Sequence, residues 1–165
     1  MNLRRRFPLE TLVRLREHRT EAARLVLMEK QRQTQACRDQ CTRIDGELQT
    51  LQRDRIHQRA QLLAPPPPGM AWPAALEQRE RHVEHLAELA VAAQERLKQA
   101  QLALRQAEQA QDEARTAFFR ARARQEALEK RRELWRREQR GFETRREEAA
   151  AEDLMLGRRQ PLIPS

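Results

Sequence analysis

Apolar residues recur every seven positions through the second half of the chain, from Val83 to Leu156. One register holds no polar residue: Leu86, Ala93, Ala100, Ala107, Ala114, Ala121, Leu128, Trp135, Phe142, Ala149 and Leu156. The offset register is apolar at Val83, Ala90, Leu97, Leu104 and Phe118 and later becomes Gln125, Arg132, Gln139 and Arg146. Heptads sustained over this length are typical of a coiled-coil helix. The pattern predicts one very long helix whose apolar stripe narrows toward its C-terminal end.

The first half of the chain predicts a second helix. It begins at about residue 8, since proline is tolerated in a first helical turn, and it ends near residue 63, because the prolines at 65–68 cannot continue it. Its apolar residues with helical spacing are Leu9, Leu12, Leu15, Ala22, Val26, Cys37, Cys41, Ile44, Leu48 and Leu51. Between Glu29 and Gln35 the stripe is polar, and we expect looser packing there.

Residues 64–72 contain four consecutive prolines followed by Gly69, the strongest helix-breaking segment in the sequence. Two helices joined by so short a link pack most readily antiparallel. We therefore predict an all-α fold in which two long helices form an antiparallel coiled-coil hairpin, with the second helix longer. The predicted single domain spans residues 1–165, with helix one at about 8–63, the Pro-rich turn at 64–72, helix two at about 73–156 and a disordered tail at 157–165.

The hairpin predicts an overhang at the end that holds both termini. Pairing residues at equal distances from the turn places Leu9 opposite about residue 128, so helix two extends several turns further. We expect Trp135 and Phe142 to lie in this overhang. Residues 1–24 hold seven basic and three acidic side chains, and residues 115–146 hold twelve and five. The basic excess of the chain therefore collects at this end.

The aromatic residues of the overhang have two interpretations. They occupy heptad positions, so they could cap the stripe or pack on another copy of the chain. Alternatively, they form a docking surface together with Arg131, Arg132, Arg136, Arg137 and Arg140. A run of charge is by default a solvated helix face, and the concentration of arginines at one end favours the docking surface.

Composition and motifs argue against an enzyme. Only 4% of the residues are aromatic and 35% are charged, which leaves little to fill a compact core. The four glycines cannot form a phosphate-binding loop of the P-loop ATPases. A nucleophile and its base need a dry cleft, which a two-helix hairpin does not provide. We therefore predict no enzymatic activity and no cofactor.

No metal site is predicted either. His82 and His85 lie three residues apart with glutamates nearby, but two histidines on an exposed helix face are more often solvated than metal-bound. Cys37 and Cys41 share the face of Ile44 and are most simply small residues of the helical stripe.

The sequence indicates a cytoplasmic location. The first seven residues, Met-Asn-Leu-Arg-Arg-Arg-Phe, are followed by a charged helix and lack the apolar core of a secretory signal. No run approaches the roughly 20 apolar residues of a spanning helix, so membrane contact would be peripheral or through a partner.

The opening run Phe7-Pro8-Leu9-Glu10-Thr11-Leu12-Val13-Arg14-Leu15-Arg16, followed by Glu21-Ala22 and a helix rich in Gln, Arg and Glu, resembles the start of FliJ-like proteins. Chain length, the cysteine-poor composition and the two-helix layout are similar too. The family includes the flagellar protein FliJ and its injectisome relatives of the YscO type, which are coiled coils of type III secretion systems. The tetraproline turn with Trp72 departs from the family's pattern, so the flagellar and injectisome branches both stay open.

This resemblance implies a non-catalytic central stalk that binds the hexameric secretion ATPase, promotes its assembly or turnover and links it to the export gate at the cytoplasmic face of a membrane. Contact with export chaperones is implied as well. In that family the end with both termini enters the ATPase ring. The candidate ring-binding residues are Phe7, Leu9, Leu12, Leu15, Arg131, Arg132, Trp135, Arg136, Arg137, Arg140 and Phe142.

The alternative function is a basic coiled-coil scaffold or a nucleic-acid-associated protein. Glutamates interrupt the basic run at spacings that support ion pairs within the helix, and no groove-reading module is present, so we expect no specific nucleic acid as a partner. The weak, partly polar stripe is equally compatible with a monomer and a weak dimer.

Overall fold

The computed structural model of the protein describes residues 6–159. They form two α-helices, α1 (Glu10–Ala60) and α2 (Trp72–Arg158), and include no β-strand. With 87 residues against 51, α2 is the longer helix, and the two helices pack against each other. The predicted all-α fold of two long helices is confirmed.

The helix ends differ from the prediction by a few residues. Helix α1 begins at Glu10, after a turn in which the Glu10 N–H donates to the Phe7 carbonyl at 3.1 Å. Helix α2 continues through Gly157 and Arg158, where a disordered tail is predicted. Residues 160–165 of that predicted tail lie outside the described part of the chain.

The chain divides into two units of dense internal contact. Residues 26–115 form the turn unit, which contains most of α1, the Pro-rich turn and the start of α2. Among the described residues, 6–25 and 116–159 form the terminal unit, which pairs the start of α1 with the later part of α2. The helices run antiparallel in each unit: Glu47 lies beside Arg96 in the turn unit, and Glu10 lies beside Arg132 in the terminal unit.

In the turn unit both helices bury one face with steps of three and four residues, which is the spacing of a coiled-coil seam. On α1 the buried and half-buried seam positions are Leu27, Lys30, Thr34, Cys37, Cys41, Ile44, Leu48, Leu51, Arg55 and Gln58. On α2 they are Val83, Leu86, Ala90, Ala93, Leu97, Ala100, Leu104, Ala107, Gln111 and Ala114. The heptads of both helices therefore describe the real contact surface here.

The polar stretch of α1 is not loosely packed at Thr34, so that expectation is wrong at this residue. Thr34 is completely buried, and its hydroxyl oxygen lies 2.9 Å from the Lys30 carbonyl and 3.2 Å from the Ala107 carbonyl of α2. A side chain of α1 can reach the main chain of α2 because Ala107 is small. Satisfied hydrogen bonds then allow a polar residue in the seam.

Arg79 of α2 contacts the chain that leads into the Pro-rich turn. Helix α1 ends at Ala60, three residues before the predicted end, and leaves carbonyl groups without helical N–H partners. The Arg79 guanidinium lies within hydrogen-bond distance of four carbonyl oxygens in the segment that follows α1: Gln61 at 3.3 Å, Leu62 at 3.2 Å, Ala64 at 2.6 Å and Pro65 at 3.2 Å. Arg79 therefore caps this segment from the other helix.

The pairing between the helices is shifted from the predicted one. Equal spacing about the centre of the Pro-rich segment would bring Glu47 close to residue 90, whereas Glu47 pairs with Arg96. Residues 65–67 lie outside both helices before the chain reverses. A proline segment in the polyproline II conformation rises about 3.1 Å per residue against about 1.5 Å in a helix. Helix α2 therefore needs more residues to run back along the axial length that the proline segment covers.

In the terminal unit the start of α1 buries a different face from the predicted one. Four buried or half-buried positions keep the three-and-four spacing of the seam: Val13, Arg16, Thr20 and Ala23. Val13 is only 1% exposed, whereas Leu15 and Ala22 of the predicted stripe are exposed. Polar residues such as Arg16 and Thr20 occupy seam positions here, because contact with α2 requires a continuous face of α1. The apolar stripe of Leu12, Leu15 and Ala22 lies on the flank of that face.

Candidate partner-binding surface

The residues before α1 fold back onto α2 in the terminal unit. Phe7 is buried, and its ring packs on Trp135 with the centroids 5.6 Å apart and the planes tilted by 59°. A tilted aromatic pair is worth about 0.5–1.5 kcal/mol beyond its buried area. Trp135 therefore has an internal partner, and its expected place in an overhang is wrong. The cause is the shifted pairing of the helices, which brings Phe7 level with Trp135.

The Phe7–Trp135 pair forms the floor of an open groove of about 180 Å³. The lining residues are Phe7, Pro8, Leu9, Arg131, Leu134, Trp135 and Glu138. Leu9 and Leu134 are 43% and 51% exposed, so the groove presents apolar side chains next to one basic and one acidic group. We refer to these seven residues as the terminal groove.

Arg132 lies beside the groove in the seam rather than on the surface. Its guanidinium pairs with the Glu10 carboxylate at 3.1 Å, and the two side chains are 21% and 31% exposed. A partly buried pair of this kind fixes which residue of α2 lies opposite the start of α1, because separation would leave a half-buried charge unpaired. Arg132, one of the predicted binding residues, thus lies at the edge of the groove in an ion pair with α1.

The remaining arginines of the site are exposed, and two of them share one acidic partner. Arg137 and Arg140 each lie 3.4 Å from the Glu133 carboxylate. Arg131 and Arg136 are exposed as well. Exposed ion pairs of this type contribute little to stability, so these side chains can exchange partners at small cost.

On helix α1 of the same unit, Glu21 and Arg24 form a bidentate contact, with distances of 2.9 Å and 2.6 Å. The hydrogen bond from Arg24 lowers the pKa of the Glu21 carboxyl. The same bond raises the pKa of the Arg24 guanidinium. Both groups are therefore charged across the physiological pH range.

Beyond Gln139, α2 exposes almost every residue of its length. Phe142 is 54% exposed, and the Arg145 guanidinium carbon lies 4.8 Å from the centroid of its ring. Further along, Leu154, Met155 and Leu156 are 71%, 70% and 63% exposed. The apolar heptad predicted as far as Leu156 is present, but no described part of α1 covers it.

A protein-family model for YscO-like proteins matches residues 4–157 of the chain. The chain belongs to the YscO-like family. No curated protein matches the chain by sequence. Among solved structures, CT670 of Chlamydia trachomatis, described as a YscO homolog, superposes with a TM-score of 0.71 at 17% identity, covering 94% of this chain and 99% of that one. At this identity the match supports the shared two-helix fold.

As a YscO-like protein, the chain is associated with type III secretion, and the resemblance seen in its opening residues is confirmed. The YscO-like proteins are an accessory family of secretion rather than one known for enzymes. Among the described residues no three metal-ligating side chains come together, and neither helix is long and apolar enough to cross a membrane.

The fold of this YscO-like chain brings some of the predicted binding residues together and separates others. Phe7, Leu9, Arg131 and Trp135 line the terminal groove. Leu12 is half-buried and Leu15 is 42% exposed, and neither lines the groove. Arg136, Arg137, Arg140 and Phe142 are exposed on α2 outside the groove.

Sequence reasoning missed three residues of the groove: Pro8, Leu134 and Glu138. Leu134 and Glu138 follow Arg131 at intervals of three and four, so they lie on one flank of α2. That spacing is visible in the sequence. Only the folded chain shows that Phe7 and Leu9 lie against this flank and so make Leu134 and Glu138 part of the groove.

Proposed function

We propose that this YscO-like chain is a non-catalytic stalk that binds the hexameric ATPase of a type III secretion system through its terminal unit. Binding promotes assembly or turnover of the ATPase and links it to the export gate at the cytoplasmic face of the membrane. Contact with export chaperones belongs to the same proposal. Family membership and the exposed apolar surface of the terminal unit support it.

The observation that carries the proposal is the terminal groove together with the uncovered part of α2. Exposed Leu9 and Leu134 frame the groove, and Phe142 follows one helical turn after Glu138. Apolar anchors surrounded by exchangeable arginines are typical of protein-binding surfaces, since the apolar groups supply affinity and the charges supply orientation. A ring of subunits with acidic or carbonyl-rich inner loops matches this chemistry.

The ion pairs of the surface speak for a protein partner rather than for nucleic acid. Arg137 and Arg140 already share Glu133, and Arg122 pairs with Glu126 at 2.9 Å. The carboxylates of Glu126 and Glu133 lie among the arginines and would repel a phosphate backbone, whereas a protein partner can present groups of both signs. Steeply salt-dependent binding to DNA, with no effect on the ATPase, would favour the scaffold or nucleic-acid alternative instead.

The proposal is tested by the turnover of the cognate secretion ATPase as purified protein is added. We expect the full chain to stimulate turnover and a chain ending at Arg140 to stimulate it less, because that chain keeps the Phe7–Trp135 pair but loses Phe142 and the uncovered helix. Ending the chain at Glu129 is a poorer choice, since it also removes Arg132 and Trp135, which contact the start of α1.

A pair of matched phenylalanines separates docking from a general loss of apolar surface. Phe142 and Phe119 are 54% and 55% exposed in the same unit. We expect Phe142→Ala to raise the concentration needed for half-maximal stimulation about tenfold, as for an interface anchor, and Phe119→Ala to leave it unchanged. Equal effects of the two substitutions, or no stimulation by the full chain, would contradict the proposal.

A further inference from the structure

We propose that the Pro-rich turn of the turn unit is a preformed recognition element that docks as a polyproline II segment into an aromatic-lined groove of a partner protein. The choice of partner rests on the proposed function, in which the chain is linked to the cytoplasmic part of the export gate. The inference concerns the turn unit alone, so it is independent of the terminal groove.

The conformation of the segment is fixed before any partner binds. All peptide bonds of the described residues are trans. Each proline holds its φ at about −65°, and each residue that precedes a proline is kept out of the helical region. After a bend at Ala64, these restrictions hold Pro65, Pro66 and Pro67 in the extended polyproline II conformation. The chain then reverses in a turn in which the Met70 N–H donates to the Pro67 carbonyl at 3.2 Å and Gly69 has φ of +86°.

Arg79 fixes the position of this segment on the hairpin. Its two terminal nitrogens lie 2.6 Å from the Ala64 carbonyl and 3.2 Å from the Pro65 carbonyl. These contacts fasten the first residues of the proline run to the first turns of α2. An element that is rigid in the free protein loses little conformational entropy on binding. Arg79 is thus a positioning residue for the turn.

The turn exposes a group of large apolar side chains. Leu63, Met70 and Trp72 are 78%, 39% and 41% exposed. Pro65, Pro67 and Pro68 are exposed as well, and Pro66 is half-buried. These residues are neighbours along ten positions of chain, and they are the apolar groups that a partner would meet at the turn.

The chemistry of the segment determines what can bind it. The four prolines have no N–H, so the segment cannot add to a β-sheet edge. The Ala64 and Pro65 carbonyls are already occupied by Arg79, and that guanidinium is not available to an anion. The groups that a partner can still contact are the faces of the proline rings and the flanking Leu, Met and Trp side chains. Aromatic-lined grooves recognise such preformed segments in proteins.

The test measures binding of the full chain to the purified cytoplasmic part of the cognate export gate. We expect the double substitution Pro66→Ala with Pro67→Ala to weaken binding about tenfold, because the segment loses its fixed conformation. Leu63→Ser should weaken it comparably, whereas Leu102→Ser should have no effect, although Leu102 is also an exposed leucine of the turn unit, at 49%. Circular dichroism melting verifies that each variant stays folded.

Tryptophan fluorescence provides a second readout, because Trp72 and Trp135 are the two tryptophans of the chain. In a Trp135→Phe variant, the gate should shift the Trp72 emission to the blue and protect it from acrylamide. Arg79→Lys should weaken binding and this protection together, since a lysine cannot hold both carbonyls. A gain in helicity without a loss of binding in the proline variant would contradict the inference.

The outcomes separate this inference from the proposed function. Gate binding that is unchanged by the proline and Leu63 substitutions overturns the inference and leaves the link to the gate standing. If the full chain does not bind the gate at all, both the proposed link to the gate and this inference are wrong. Stimulation of the ATPase is tested separately, by the variants of the terminal unit. The inference is also overturned if only anionic lipid vesicles protect Trp72. The same holds if the chain forms a dimer that the proline substitutions dissociate.

Discussion

Arg79 shows how one side chain can satisfy the main-chain carbonyl groups that follow another helix. The residue occupies a seam position of α2, where a coiled coil normally has an apolar residue, and it is half-buried there. Its contacts with carbonyl groups from Gln61 to Pro65 explain why a charged residue is stable in this position. From the sequence alone Arg79 is one of 33 basic residues, since nothing in its local spacing predicts a contact with residues more than ten positions away.

We expect Arg79→Ala to lower the free energy of unfolding by about 1–3 kcal/mol, because it leaves carbonyl groups between Gln61 and Pro65 without a charged donor. Arg81→Ala is the matched control, since Arg81 lies two residues away in an ion pair with Glu77 and is 72% exposed. Its effect should stay below about 0.5 kcal/mol. Urea denaturation followed by circular dichroism measures both. Similar losses for the two variants would contradict the role given to Arg79.

At the scale of the element, the seam is a compromise between packing and polarity. Alanines such as Ala93 and Ala107 let the helices approach closely, and Thr34 uses this proximity for a hydrogen bond to the main chain of α2. The heptad of α2 is visible in the sequence because its apolar residues are unbroken. The heptad of α1 is obscured by Arg16, Thr20 and Lys30, which are polar residues at seam positions.

Close approach at the alanines predicts an asymmetric response to larger side chains. Ala93 is completely buried, so Ala93→Leu should destabilise the protein by about 1–3 kcal/mol through overpacking. Ala92→Leu introduces the same side chain at the exposed neighbouring position and should change stability by less than about 0.5 kcal/mol. Thermal melts of both variants test the prediction. A stabilising Ala93→Leu would mean that the seam has room for larger residues.

At the scale of the whole molecule, the described residues consist of two contact units rather than one evenly packed hairpin. The predicted single domain over residues 1–165 stays a prediction, as do the monomer or weak dimer and the cytoplasmic location. Within the terminal unit, α2 continues past the last residue that α1 covers. That uncovered length carries apolar side chains without contributing to a core, which makes it available for a partner.

A chain ending at Arg140 should therefore keep the stability of the full protein. It retains the Phe7–Trp135 pair and the Glu10–Arg132 ion pair, and it loses residues that are nearly all exposed. We expect its Tm to lie within about 2 °C of that of the full chain, because surface changes alter stability by roughly 0.5 kcal/mol or less. Differential scanning calorimetry measures this directly. A large fall in Tm would show that the removed helix contributes to folding.

The sequence by itself determined the class of structure. Heptads and a tetraproline breaker require two long helices and a turn, because helix formation and its interruption depend on local residue types. The opening residues predicted the family. The arginine-rich segment with Phe7 and Trp135 predicts a binding surface in the terminal unit, and this stays a prediction. These inferences rest on patterns that are readable along one helix.

Only the tertiary structure decided the register of the helices and the composition of the candidate site. The meeting of Phe7 with Trp135, the seam position of Arg132 and the cap formed by Arg79 all depend on which residues of α2 lie opposite those of α1. That pairing is set by the length of extended chain in the Pro-rich turn and by a few interhelical contacts. Such contacts join residues far apart in the chain, so no local pattern of amino acids can specify them.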